Sequence, residues 1–172
     1  ARFAMDKVGH MFENKEIFLT ELIMAGELLK GVMTELGFTP EKLSQAGGEK
    51  GTVLIGTVAG DIHDIGKNIV TGLLAANGFR IIDLGVEVPP EKFVEEVQAQ
   101  SPNVVAMCGL LTIAYEAMKA TVDALNASGL RDQVKIIIGG GAVDQKVCDF
   151  VGADAWGGTA ADAVKLCQQF IS

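Results

Sequence analysis

Two periodicities divide the chain. In its first part apolar residues recur at helical spacing: Met5, Val8, Met11 and Phe12 fall at i, i+3, i+6 and i+7, and Leu19, Leu22, Ile23, Leu29, Met33 and Leu36 form a second stripe. This pattern predicts two amphipathic helices. Gly37 and Pro40 stop the second, because glycine suits the left-handed residue after a helix and proline cannot continue one. Thr39 and Pro40 are also a cap and first-position proline for a further short helix. Two helices cannot bury both of their apolar faces against each other. They are expected to pack on the rest of the chain, on a partner or on a ligand.

A polar stretch with Gly47, Gly48 and Gly51 marks the boundary. Beyond it, short β-rich runs alternate with helical patterns. Strands are predicted over Thr52–Val58, Arg80–Leu84, Val104–Met107, Val134–Ile138 and Ala153–Trp156. Helices are predicted over Ile65–Asn77, from Pro89 to about Gln100, and over Ala114–Ala127, Ala142–Phe150 and Ala160–Phe170. Strands separated by helices imply right-handed βαβ units and a parallel sheet covered on both faces. The expected fold is α/β: a flavodoxin-like, doubly wound, five-stranded parallel sheet over residues 51–172, preceded by a partial helical-bundle cap over 1–46. In such a sheet ligands sit at the carboxyl ends of the strands.

Composition narrows the function without naming it. The chain has 172 residues, 49% of them hydrophobic and 21% charged, the profile of a soluble globular protein. Its net charge of −8 argues against nucleic acid and anionic membranes as partners. The apolar runs are sheet-length, far short of a membrane span. No secretion signal is visible at the N-terminus. The chain starts at Ala1 without Met, in the middle of a pattern, so a native N-terminal piece is expected to be missing. Cys108, Cys148 and Cys167 lack CxxC spacing and are odd in number, as expected of reduced cysteines in a cytoplasmic protein.

The densest chemistry lies in Gly56–Asn68, which follows the first strand and opens the first helix of the sheet region. It holds His63, one of the chain's two histidines, flanked by Asp61 and Asp64. A carboxylate two residues from an imidazole in an extended loop lies on the same side as the ring. It can accept the Nδ1 proton and leave Nε2 free as a metal ligand of raised basicity. Gly66 lets something large approach the backbone. The glycine spacing matches neither a Walker A loop nor GxGxxG. A receiver-like domain would place acidic residues here but would not need His63, and zinc would need two or three more ligands.

Asp61-x-His63-x-x-Gly66 resembles the DxHxxG signature of cobalamin-binding domains. In that family the histidine replaces the cofactor's own benzimidazole as lower cobalt ligand, and the displaced nucleotide tail enters a channel beside the sheet. The resemblance implies a cobalamin cofactor, with His63 as the metal ligand and Asp61, Asp64, Ile65 and Gly66 around it. Cys108–Gly–Leu110–Leu–Thr112 resembles the family's Ser-x-Leu segment, with Cys108 where serine is usual. Ala114 stands where methionine-synthase-type modules carry a serine that joins the His–Asp relay, so the relay is shortened here or completed by another group. Gly139 and Gly140 match the family's Gly-Gly turn, and Gly157 and Gly158 are expected to help close the channel. The stretch Glu16–Met24 is similar to the "F-L-P-x" helix of the cap, with Thr20 for proline, which makes Phe18, Leu19, Ile23 and Met24 candidates for the upper face of the corrin.

The resemblance extends over roughly all of the chain and reaches the corrinoid subunits of methanol, methylamine and aryl-ether methyltransferase systems. It implies a methyl carrier that serves a substrate-specific methyltransferase and an acceptor methyltransferase, with a reductive activator. No acid–base pair or nucleophile stands out, so the chain alone is expected to be a carrier and not a complete enzyme. Rival readings are the cobalamin subunit of an adenosylcobalamin-dependent mutase, a cobalamin sensor, and a flavodoxin-like domain without cobalt.

Overall fold

A computed structural model describes residues 7, 8, 11, 12, 14–35, 50–141 and 143–171. Met5, Leu36, the stop at Gly37 and Pro40, the short helix expected at Thr39 and the Gly47–Gly48 boundary lie outside these residues. So do the side chains of Leu19, Ile23, Leu29 and Met33. Lys7, Val8, Met11 and Phe12 are helical, and α1 spans Leu19–Glu35.

Strands β1 (Thr52–Thr57), β2 (Arg80–Asp83), β3 (Val104–Cys108), β4 (Lys135–Gly139) and β5 (Ala155–Gly157) form a single five-stranded sheet. Its order is β2-β1-β3-β4-β5, and all the pairings are parallel. The intervening helices are α2 (Ile65–Ala76), α3 (Pro90–Gln100), α4 (Ala114–Ala127), α5 (Gln145–Val151) and α6 (Ala160–Phe170). This is the flavodoxin-like order expected from the sequence, with the chain reversing direction across the sheet between β1 and β3.

Alternation along the strands explains why both faces are covered. Leu54, Val105, Met107, Ile136 and Ile138 face one core with Phe93, Met118 and Leu125. Val53, Ile55, Val104, Ala106 and Ile137 face the other with Leu73, Leu74, Phe79 and Val164. Side chains of period two therefore serve two helical layers, which is why these strands are apolar at nearly every position. Each fully buried large side chain stabilises by about 1.5–3 kcal/mol. Boundaries differ from expectation by a few residues at most. The largest shift is α5, which starts at Gln145 because the Asp144 side chain accepts the Val147 N–H and caps it there.

Gly51 is packed into the sheet domain. Its φ is +128°, and an added Cβ would lie 2.6 Å from Ile171 Cγ2 and 2.8 Å from Asn103 Oδ1. Only glycine fits there, directly before β1.

Candidate functional site

The last rung of the sheet brings the predicted positions together. Thr57 pairs with Cys108, Cys108 with Gly139, and Gly139 with Gly157. Beyond this rung, on the side of α2 and α6, lies a cavity of about 840 Å³. Ile55, Ala106, Cys108, Ile137 and Gly139 line it from the sheet, Val70, Leu73, Ala160, Ala163 and Leu166 from the two helices, and Phe12 and Leu22 from the N-terminal region. Alanine and glycine on these facing surfaces leave the space unfilled. The volume suits a large small-molecule ligand.

His63 stands at the cavity wall, its side chain 49% exposed. Its Nδ1 lies 2.6 Å from Asp61 Oδ1, and its backbone N–H donates to the same oxygen at 3.0 Å. Asp61 Oδ2 accepts the backbone N–H groups of Leu110 at 2.6 Å and Leu111 at 3.1 Å. Burial by itself would raise the Asp61 carboxyl. The N–H groups of His63, Leu111 and Leu110 and the His63 ring outweigh burial and hold it well below the usual carboxylate range. A fully buried, ionised carboxylate can only accept, so Nδ1 is the donor in this pair and Nε2 takes no part in it.

The relay question raised by Ala114 has a structural answer. Ala114 is buried and offers no hydroxyl, and the far oxygen of Asp61 ends on two main-chain amides. Asp64, in contrast, is exposed and accepts the Asn68 side-chain amide at 3.1 Å at the start of α2. A carboxylate there suits the positive end of the helix.

The glycines form a cradle of stringent shape. Gly140 has φ +139°, and an added Cβ would fall 1.8 Å from Gly109 O. A Cβ on Gly141 would reach 2.6 Å from Leu110 Cδ1. Gly66 differs: a Cβ there would meet no protein atom within 4 Å, so protein packing does not demand glycine and the space beside it stays open. Burial pushes the Cys108 thiol up to about 12, so it lines the cavity as a neutral, weak S–H donor.

Of the residues selected from sequence, Asp64, Ile65, Gly66, Cys108, Leu110, Gly139, Gly140, Gly157 and Gly158 line the cavity with His63, while Asp61 stands behind it. Thr112 is exposed and is not in the wall, because the chain has already turned toward α4. Met24 is 63% exposed and also outside the wall, whereas Leu22, two residues away on the helix, is buried and inside it. Sequence reasoning missed Thr57, Gly109, Phe12 and the buried Lys67. Lysine beside Gly66 in a helix with Ile65, Ile69 and Val70 was the available signal for the last of these.

Fold and site define a doubly wound α/β protein that holds a large ligand at the switch point of its sheet, beside one imidazole activated by a buried carboxylate. The chain belongs to the B12 binding domain family, whose description matches residues 51–166 and, in a second form, residues 3–36. It is 40% identical to the trimethylamine corrinoid protein of Methanosarcina barkeri, over 93% of this chain and 74% of that one. Its fold is similar to a cobalamin-binding protein from Desulfitobacterium hafniense DCB-2, with TM-score 0.81 and 42% identity over 99% of this chain and 80% of that one. It also resembles a chain of the methanol:cobalamin methyltransferase complex MtaBC from Methanosarcina barkeri, with TM-score 0.76 and 34% identity over 99% of this chain and 64% of that one.

The cofactor of this family is a cobalamin, and the residues present fit it. The glycine cradle, the open space at Gly66 and the apolar cavity accommodate a bulky organic tail. Among the described residues no group of three His, Cys, Asp or Glu is placed to hold a metal. A single imidazole suits a metal that brings its remaining ligands in a macrocycle. Among the described residues, no helix is long and apolar enough to cross a membrane.

Proposed function

We propose that this chain is the methyl-carrying corrinoid subunit of a methyltransferase system, with cobalamin held base-off and His63 as its lower ligand. The observation that carries the reading is the Asp61–His63 pair at 2.6 Å beside the cavity. When bound, the cobalt of the cofactor supplies a nucleophilic centre that accepts a methyl group and gives it up again. The protein's own residues do the rest. Asp61 accepts from Nδ1 and so fixes the plane of His63 and the nitrogen it presents to the cofactor. Four hydrogen bonds keep that charge in place although the carboxylate is buried. Gly139, Gly140, Gly157 and Gly158 leave room for the displaced tail, with Cys108 as the weak donor where the family's serine stands. Leu22 and Phe12 carry the N-terminal helical region onto the cavity wall.

Of the relatives named above, one is a trimethylamine corrinoid protein, one a cobalamin-binding protein and one a chain of a methanol:cobalamin methyltransferase complex. By this reading the chain serves a substrate-specific methyltransferase and an acceptor methyltransferase, and a reductive activator maintains the cofactor. Residues 1–46 act as the cap and residues 51–172 as the cobalamin domain. The test is retention of methylcobalamin and adenosylcobalamin by the full chain after gel filtration. A methyl carrier retains the methyl form and discriminates against the bulkier adenosyl form. Equal retention of both favours the mutase or sensor reading.

A further inference from the structure

We infer that Thr57 is the positioning residue for His63: its buried hydroxyl ties the His63 main chain to the end of β1, so that the imidazole is presented in one orientation. This rests on the proposed ligation by His63 and adds to it a residue outside the Asp-x-His motif.

Thr57 is the last residue of β1 and has no exposed surface. Its Oγ1 donates to the His63 carbonyl oxygen at 2.9 Å, closing the loop that carries the histidine. The Thr57 main chain is itself held by the segment after β2: its N–H donates to Gly85 O at 3.0 Å, and its carbonyl accepts the Val88 N–H at 2.9 Å. Gly85 is anchored in turn, its N–H donating to Asp83 Oδ1 at 2.9 Å while Asp83 Oδ2 pairs with the buried Lys67 ammonium at 2.5 Å. The hydroxyl therefore reaches His63 from a fixed platform.

The two holds on His63 are different in kind. Asp61 fixes the ring relative to its own loop, and Thr57 fixes that loop relative to the sheet. Asp64, the next residue, is tied to α2 through Asn68, whose main-chain N–H and side-chain amide donate to its carbonyl at 2.8 Å and its carboxylate at 3.1 Å, so the Thr57 hydroxyl is the hold that reaches the His63 carbonyl from the sheet. The residue type agrees. Valine has the same shape as threonine and suits the end of a buried strand at least as well. A buried hydroxyl is unfavourable unless bonded, so threonine here is explained by the bond it makes.

The test uses the full chain labelled with ¹⁵N-histidine and reconstituted with hydroxocobalamin, compared as wild type, Thr57→Val and Thr57→Ser. In the Co(II) state, EPR reads the fraction of cobalt coupled to histidine nitrogen, and gel filtration reads total cobalamin bound. Thr57→Val is expected to bind cobalamin while the histidine-coupled fraction falls about tenfold, the usual size for losing an outer partner of a metal ligand. Thr57→Ser, which keeps the hydroxyl, is expected to match wild type. Wild-type coupling in Thr57→Val, or loss in both variants alike, overturns the assignment. Should Thr57→Val not fold, Thr57→Ala is read in its place, and NMR of the wild-type apoprotein decides independently: a slowly exchanging Thr57 hydroxyl proton near the His63 carbonyl supports the bond, and a freely exchanging one overturns it. A wild type without histidine coupling sinks the ligation reading itself, whatever the variants do.

Discussion

The helices α1 and α2 both border the cavity, and they bury their apolar surface in different ways. In α2, Leu73 and Leu74 are sealed against the sheet, and even Lys67 is buried because Asp83 neutralises it. In α1, Leu22 is buried, but Met24, Leu28 and Val32 at i, i+4 and i+8 form an exposed stripe, with Phe18 exposed just before it. Composition is thus a poor guide to burial: α1 is as apolar as a core helix, yet most of its described apolar side chains face outward. The sheet domain completes its own core and its own ligand cradle. Among its described residues the helical region contributes Phe12 and Leu22 to the cavity, while Phe18, Met24, Leu28 and Val32 stay exposed. An exposed apolar stripe is normally an interaction surface.

The contrast breaks most sharply at Gly140. Alanine there combines left-handed strain with a collision against the Gly109 carbonyl. Gly140→Ala is expected to destabilise the sheet domain by about 3 kcal/mol or more, measured by urea unfolding. Wild-type stability for this variant would mean that the cradle is softer than its geometry states.

Asp61→Asn follows. Asparagine replaces one accepting oxygen by a donor, so at least one charge-assisted bond among His63, Leu110 and Leu111 is lost, about 1.5–3 kcal/mol. The variant also changes the pH profile. A carboxyl whose folded value is depressed stabilises the protein above the unfolded value, near pH 4. That contribution is lost progressively as pH falls below it toward the folded value, because the unfolded chain takes up the proton first. Acid unfolding of the apoprotein followed by circular dichroism should therefore be less steep in Asp61→Asn than in wild type. Identical slopes would show that Asp61 is not held ionised by the fold.

Lys67→Met tests the anchor beneath α2. Breaking a fully buried pair costs about 3–5 kcal/mol, but Asp83 is 34% exposed and water compensates part of the loss, so about 2 kcal/mol is expected in thermal unfolding. The smallest effects sharpen the picture of α1. Leu22→Ala is expected to cost about 1 kcal/mol, below the usual 2–5 for a core leucine, because Met24, Leu28 and Val32 of the same helix are exposed. Met24→Ala should stay within about 0.5 kcal/mol. Hydrogen exchange along α1 measures both. Equal losses would mean that α1 packs through both faces.

Much of this was legible in the sequence because it is written in side chains. The strand runs and Asp61-x-His63 carry their meaning in residue type and spacing, and the structure assembles the strands into one sheet with the motif just beyond the end of its first strand. The rest was hidden for physical reasons. The donors to Asp61 Oδ2 are backbone amides of Leu110 and Leu111, and a main-chain N–H leaves no mark on residue identity. Gly51 lies in a polar, glycine-rich stretch and looks like a flexible joint, yet tight packing against Ile171 selects the same residue. Leu22 and Met24 are equally apolar, and only the rotation of the helix decides which one reaches the cavity. Lys67 is a charged residue in an apolar wall, and its partner lies a full strand away at Asp83.

The central claim, that His63 is the lower ligand of the cofactor, is tested most directly by EPR of the Co(II) protein prepared with ¹⁵N-histidine. Cobalamin's own benzimidazole carries ¹⁴N, so the label separates the two possible donors. The account predicts the doublet splitting of a single ¹⁵N nucleus in wild type and its disappearance in His63→Gln. A ¹⁴N triplet in the labelled wild-type protein, meaning that the benzimidazole remains bound, would contradict it.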